Sequence, residues 1–107
     1  MHGDTHQADE VLEPEIRGAI ERLPNQFSTK RLVDELRSTP AGADAYQQAL
    51  ELCGGGGEWN DPAYRVLHGQ AIAGLLRNIG LVKFAGFIHG LPEEDDGYSV
   101  PTWWRKT

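Results

Sequence analysis

Between Val11 and Leu23 the apolar residues Val11, Leu12, Ile16, Ala19, Ile20 and Leu23 recur at spacings of three and four, which predicts an amphipathic helix with one buried face. Pro14 suits its first turn, where a missing N–H costs nothing, and Glu13 and Glu15 sit where the helix dipole favours negative charge. Pro24-Asn25 closes the segment. The polar, patternless start predicts a disordered tail over 1–10, leaving 11–107 as a single domain. After an extended Gln26-Phe27, Ser28 offers a capping hydroxyl to a second helix from Thr29 to about Ser38, with the narrow stripe Leu32, Val33 and Leu36. Thr39-Pro40 is expected to end it. Ala43 to Leu52, with Tyr46, Ala49, Leu50 and Cys53 at helical spacing, predicts a third helix that stops at Gly54-Gly55-Gly56-Gly57.

The longest helix is expected over 62–79, opened by the capping pair Asn60-Asp61 with Pro62 at the first helical position. Its stripe is Tyr64, Leu67, Ala71, Ile72, Leu75, Leu76 and Ile79, and Gly80 supplies the stop. Leu81 to Ile88 and Tyr98 to Trp104 are rich in Val, Ile, Phe, Tyr and Trp and read as the two strands of a β-hairpin. Pro101 cannot donate to a ladder and predicts an edge position for the second strand. Gly90 to Gly97, polar and bounded by glycine, predicts an exposed loop. The fold class is therefore mainly α with a small β-hairpin, an α+β domain.

At 107 residues the chain fits one modest core. Cys53 is the only cysteine, so no internal disulfide can form, and a reducing, cytoplasmic setting is expected. The start Met1 to Gln7 lacks the basic and apolar runs of a signal peptide, and no stretch approaches the ~20 apolar residues of a membrane span. Net charge is -6, against a nonspecific phosphate-coating protein. The acids, however, are segregated. Asp4, Asp9, Glu10, Glu13, Glu15 and Glu21 crowd Met1 to Gln26, against only Arg17 and Arg22, and Glu93 to Asp96 the loop, whereas Pro62 to Gly90 contains Arg65, Arg77 and Lys83 and no acid. A partner is to be sought on that middle stretch first.

The segment Ala71-Ile72-Ala73-Gly74-Leu75-Leu76-Arg77-Asn78-Ile79-Gly80-Leu81-Val82-Lys83, with the later Gly97-Tyr98-Ser99-Val100-Pro101, resembles the recognition helix, corner and returning strand of winged helix-turn-helix domains. The resemblance covers Val11 to about Trp104 and rests on element order and apolar positions. It implies a winged helix with an additional helical segment, Pro40 to Trp59, between the second and recognition helices. It also implies double-stranded DNA as partner, bound in the major groove by the long helix, with a homodimer as the means of gaining affinity. The wing departs from basic DNA-binding wings, since it carries Glu93, Glu94, Asp95 and Asp96.

On the long helix Val66, Gln70, Ala73 and Arg77 share the face opposite the apolar stripe, where glutamine suits an adenine edge, arginine a guanine or phosphate, and the small apolar groups a thymine methyl. An ordinary solvated or intramolecularly packed face explains the same spacing. Lys30, Arg31 and Lys83 suit phosphates, and equally suit solvated surface pairs. Trp103 and Trp104 point to opposite sheet faces, so one completes the core and the other is open to a partner. Trp59 is placed to staple the entry of the long helix.

His68, His89 and Cys53 fit no zinc spacing, the tetraglycine is followed by no Lys-Ser or Lys-Thr, and Glu93 to Asp96 lack the alternation of a calcium loop. His68 reads as a partly buried helical histidine. No metal, cofactor or catalytic group is expected. Two functions follow: a DNA-binding regulator or replication or phage accessory protein, and a protein-binding module whose Glu93 to Asp96, with Trp103 or Trp104, engage a basic surface on a nucleic-acid enzyme.

Overall fold

The computed structural model describes residues 6–54, 61–98 and 100–107. Its elements are α1 (His6–Arg22), β1 (Gln26–Ser28), α2 (Thr29–Leu36), α3 (Pro40–Leu52), α4 (Asp61–Val66), a π-helical segment (Leu67–Ile72), α5 (Ala73–Asn78), β2 (Val82–Phe87), a 3-10 turn (Pro92–Glu94) and β3 (Thr102–Lys106). The fold is mainly helical with a small antiparallel sheet in the order β1-β3-β2. Leu12, Ile16, Leu32, Leu36, Leu50, Leu67, Ile72 and Leu76 are fully buried between the helices, and Phe27 and Trp104 close the core from the sheet. Among the described residues no helix is long and apolar enough to cross a membrane.

The first helix begins before Val11. Ala8 is only 1% exposed, so burial draws residues 6–10, expected as tail, into α1; residues 1–5 lie outside the described chain. Pro14 consequently stands inside α1 and not in its first turn. It is exposed, so the carbonyl its ring deprives of a partner lies on the water side of the helix.

Ser28 caps α2 as its sequence predicts, its Oγ accepting the Arg31 N–H at 3.0 Å. Thr39-Pro40, expected as a terminator, is instead a helix start. Thr39 Oγ1 accepts the Gly42 N–H at 3.0 Å and Pro40 takes the first turn, so α3 begins three residues before Ala43. The third-helix stop holds to Gly54; the rest of the tetraglycine, Trp59 and the expected cap Asn60 lie outside the described residues.

The expected single helix over 62–79 is observed as α4, the π segment and α5 in succession, called the long helix below. Its buried positions are Ala63, Leu67, His68, Ala71, Ile72, Leu75 and Leu76, repeating at four. An α-helix has 3.6 residues per turn, so a repeat of four drifts around its surface. The wider turn of i→i+5 bonding takes up that drift and keeps the stripe inward. Gly80, at φ 82°, then turns the chain into β2.

The second hairpin strand is not at an edge. It lies between β1 and β2, pairing Phe27 with Trp104 and Phe84 with Trp104. Pro101 is compatible with this because it precedes the ladder, where only its carbonyl is used, accepting the Ile88 N–H at 3.0 Å. Tyr98 to Val100, expected as strand, precede β3. Trp104 is 1% exposed and its Nε1 donates to Thr29 Oγ1 at 2.9 Å, which satisfies the indole within the core. Trp103 is half-buried on the other face.

Candidate functional site

Two recesses meet at His68. The first is a groove of about 380 Å³ between the long helix and the inner face of the sheet, with Arg65, Gln70, Ala73, Arg77, Phe87 and Thr102 among its walls. Among the described residues both of its charged walls are arginines, and no carboxylate lines it. The second recess lies towards α2 and α3 and is lined by Lys30, Asp34, Arg37, Tyr46, Asp95 and Asp96. His68 and Tyr98 line both and form the partition between them.

The partition is built on the π segment. His68, 3% exposed, stands at its second position, and both of its ring nitrogens are engaged. Nδ1 is 2.8 Å from Asp96 Oδ2, and Nε2 is 2.7 Å from the Tyr46 hydroxyl. The carboxylate can only accept, so Nδ1 carries a hydrogen, and in the neutral imidazole Nε2 then accepts the phenolic proton. Burial pushes the Tyr46 phenol up from its ordinary value, which keeps that proton on the phenol. Tyr64 and Tyr98 stack at 4.8 Å beside the imidazole, with the Tyr98 ring 5.3 Å from it, and the Arg37 guanidinium lies 4.8 Å over the Tyr46 ring. A hydroxyl, an imidazole and a carboxylate in series have the connectivity of an activated nucleophile. The series links α3, the long helix and the loop before β3.

The loop from Gly90 to Gly97 is exposed over most of its length, as expected, but two of its acids are engaged. Asp96 is drawn in by His68, and its Oδ1 accepts the Tyr98 N–H at 2.8 Å. Glu94 accepts from Ser28 Oγ at 2.6 Å. Glu93 and Asp95 are exposed.

Among the residues singled out by sequence, Gln70, Ala73 and Arg77 line the groove together, joined by Arg65. Val66 is half-buried and outside it. Lys83 alternates with Phe84 and therefore projects from the opposite sheet face, directly across from Arg105. Lys30 and Arg31 stand on the first turn of α2. Lys30 is 2.9 Å from Asp34, whose carboxylate holds the ammonium above the usual lysine value. Burial pushes the Cys53 thiol up, and His89 is exposed. Among the described residues no three His, Cys, Asp or Glu side chains gather as a metal ion requires.

Sequence reasoning missed Tyr46, Asp96 and Tyr98 as partners of His68. Tyr46 lies 22 residues before His68 and Asp96 lies 28 after it, so no local spacing connects them. The one hint in the sequence was a histidine at a position the apolar repeat of four places inward.

No family model, curated protein or solved structure matches the chain.

The Tyr46 geometry fixes a pH dependence. Its folded value lies above the ordinary 10.0, so the unfolded chain loses this proton first as pH rises. Stability conferred below that pH is then lost as pH climbs towards the folded value. Urea melts from neutral to alkaline pH are expected to show a steeper loss above pH 10.0 in the native chain than in Tyr46→Phe. Parallel profiles would refute the assignment.

Proposed function

We propose that this chain is a winged helix-turn-helix domain that binds double-stranded DNA along the long helix, whose Arg65, Gln70 and Arg77 edge the groove beside it. The reading is carried by one observation: among the described residues, the groove bounded by Gln70, Ala73 and Arg77 has two arginines and no carboxylate on its walls, in a chain of net charge -6. Arginine and glutamine on one helix edge are the side chains suited to phosphate and base edges. The strand order β1-β3-β2, with the first strand set between the first two helices in sequence, is similar to the arrangement of winged helices and supports the same reading.

Charge placement bears on the rival reading, a protein-binding acidic loop. Two of the four acids from Glu93 to Asp96 are tied to Ser28 and His68, which reduces the acidic surface a basic partner would meet. It also draws negative charge away from a phosphate approaching Arg65 and Arg77.

Fluorescence polarisation of a mixed-sequence duplex at low and moderate salt tests the proposal. Arg65→Glu with Arg77→Glu is expected to weaken binding by at least about tenfold, and to lower the salt slope by about 0.9 for each phosphate no longer neutralised. Unchanged affinity and slope would sink it.

A further inference from the structure

On the edge strand β2, Phe84 and Phe87 are 50% and 57% exposed. Residues three apart on a regular strand point to opposite faces. Here they do not. Phe84 lies opposite Trp104 and Phe87 opposite Thr102, so β2 advances three residues while β3 advances two. The extra residue is accommodated in a bulge, where Gly86 adopts φ 111°, a conformation that favours glycine. Both phenylalanine rings are thereby brought to the inner face, 5.1 Å apart and edge to face, and the Phe84 ring is also 6.3 Å from Trp104.

Core packing does not account for this arrangement, because the re-aimed Phe87 ring is more than half exposed. It lines the groove that holds Arg65 and Arg77. An exposed aromatic ring in a groove lined by two arginines, with no carboxylate on its walls among the described residues, complements a nucleotide: an anionic phosphate and a flat, apolar base. At about 380 Å³ the groove is at the small end of ligand sites, with room for one nucleotide and not for a duplex.

We propose that Phe87, backed by Phe84, is a stacking platform for an unpaired base of a DNA strand whose phosphate is held by Arg65 and Arg77. This deepens the DNA-binding reading and rests on it: the duplex lies along the long helix, and the platform takes a base from an adjoining single-stranded segment. Paired bases hide their faces in the stack, so the platform discriminates by strandedness and tolerates any base.

The test compares the full chain and its Phe87→Ala, Phe87→Trp and Phe87→Leu variants on a blunt duplex, the same duplex with an oligothymidine tail, and that tail alone. Thermal melts and light scattering accompany each variant. The native chain is expected to prefer the tailed duplex to the blunt one. Phe87→Ala and Phe87→Leu lose about tenfold or more on the tailed duplex and the free tail while holding the blunt duplex within about twofold, and Phe87→Trp retains both. A 2-aminopurine in the tail is quenched by the native chain and not by Phe87→Ala.

Blunt-duplex binding with no preference for the tail, or with equal affinity in all variants, overturns the platform and leaves the DNA-binding reading standing. Failure of the native chain to bind any of the three overturns both. A native dimer that Phe87→Ala converts to a monomer, with nucleic-acid affinity unchanged, assigns the face to a second copy of this chain and also overturns the platform.

Discussion

Gly42→Ala is expected to destabilise the protein by about 3 kcal/mol, against the sign that helix propensity gives. Gly42 lies in the first turn of α3, and alanine in a helix is ordinarily favoured over glycine by about 1 kcal/mol. A Cβ built there meets the Leu36 carbonyl oxygen at 1.8 Å and Thr39 Oγ1 at 2.9 Å. The first is backbone at the end of α2, so no side-chain rotation relieves it. Either α3 withdraws from α2 or Thr39 loses its cap on the Gly42 N–H. Gly74→Ala is the control, since a Cβ there meets nothing within 4 Å; it is expected to be neutral or to stabilise by up to about 1 kcal/mol. Chemical denaturation of the two variants checks both signs, and equal effects would show that the close approach of α2 and α3 does not govern stability.

That close approach also marks where sequence reading stops. Ser28 and its helix were legible because capping is local: a hydroxyl, then an apolar stripe. Thr39-Pro40 carries two local meanings, the end of one helix and the start of the next, and choosing between them requires knowing that Leu36 and Gly42 touch. Pro14 failed for a related reason. A proline in the first turn and an exposed proline inside a helix look alike until Ala8 is known to be buried.

The groove was half legible. Periodicity placed Gln70, Ala73 and Arg77 on one side of the long helix, and all three line it. Periodicity also placed Val66 with them and the structure does not, because the π segment changes the angular step after Leu67. Lys83 was grouped with Arg77 by charge alone, but strand alternation turns it to the other sheet face. Phe87 was invisible as a groove residue, since a bulge at Gly86 reverses the face that alternation assigns it.

His68→Leu is expected to cost about 2–3 kcal/mol, the penalty of the buried polar group it strands, against the roughly 5–15 kcal/mol by which domains are stable. Leucine fills much of the volume and leaves two polar groups behind. The Tyr46 hydroxyl cannot escape, because its ring is 4% exposed and packed beneath Arg37. Asp96 can escape, because it stands on the loop before β3, so much of the strain is relieved by loop opening. Hydrogen exchange at the Tyr98 amide, which donates to Asp96, is therefore expected to speed up more than exchange in α1.

Asp96→Asn separates charge from hydrogen bonding at the same site. Asparagine has one acceptor oxygen where Asp96 uses two, one for Tyr98 and one for His68. If its oxygen stays with Tyr98, its amide donates to Nδ1, and the imidazole must move its hydrogen to Nε2 and point it at Tyr46. The chain of hydrogen bonds survives with its direction reversed, at a cost of about 1 kcal/mol. Equal losses in His68→Leu and Asp96→Asn would show that the carboxylate charge holds the loop; a small loss in Asp96→Asn shows that the histidine's two-sided bonding does. In the second case a hydrogen-bond relay holds Asp96 in the second recess, across the His68 partition from the Arg65 and Arg77 groove, and His68→Leu, which releases it, also weakens duplex binding.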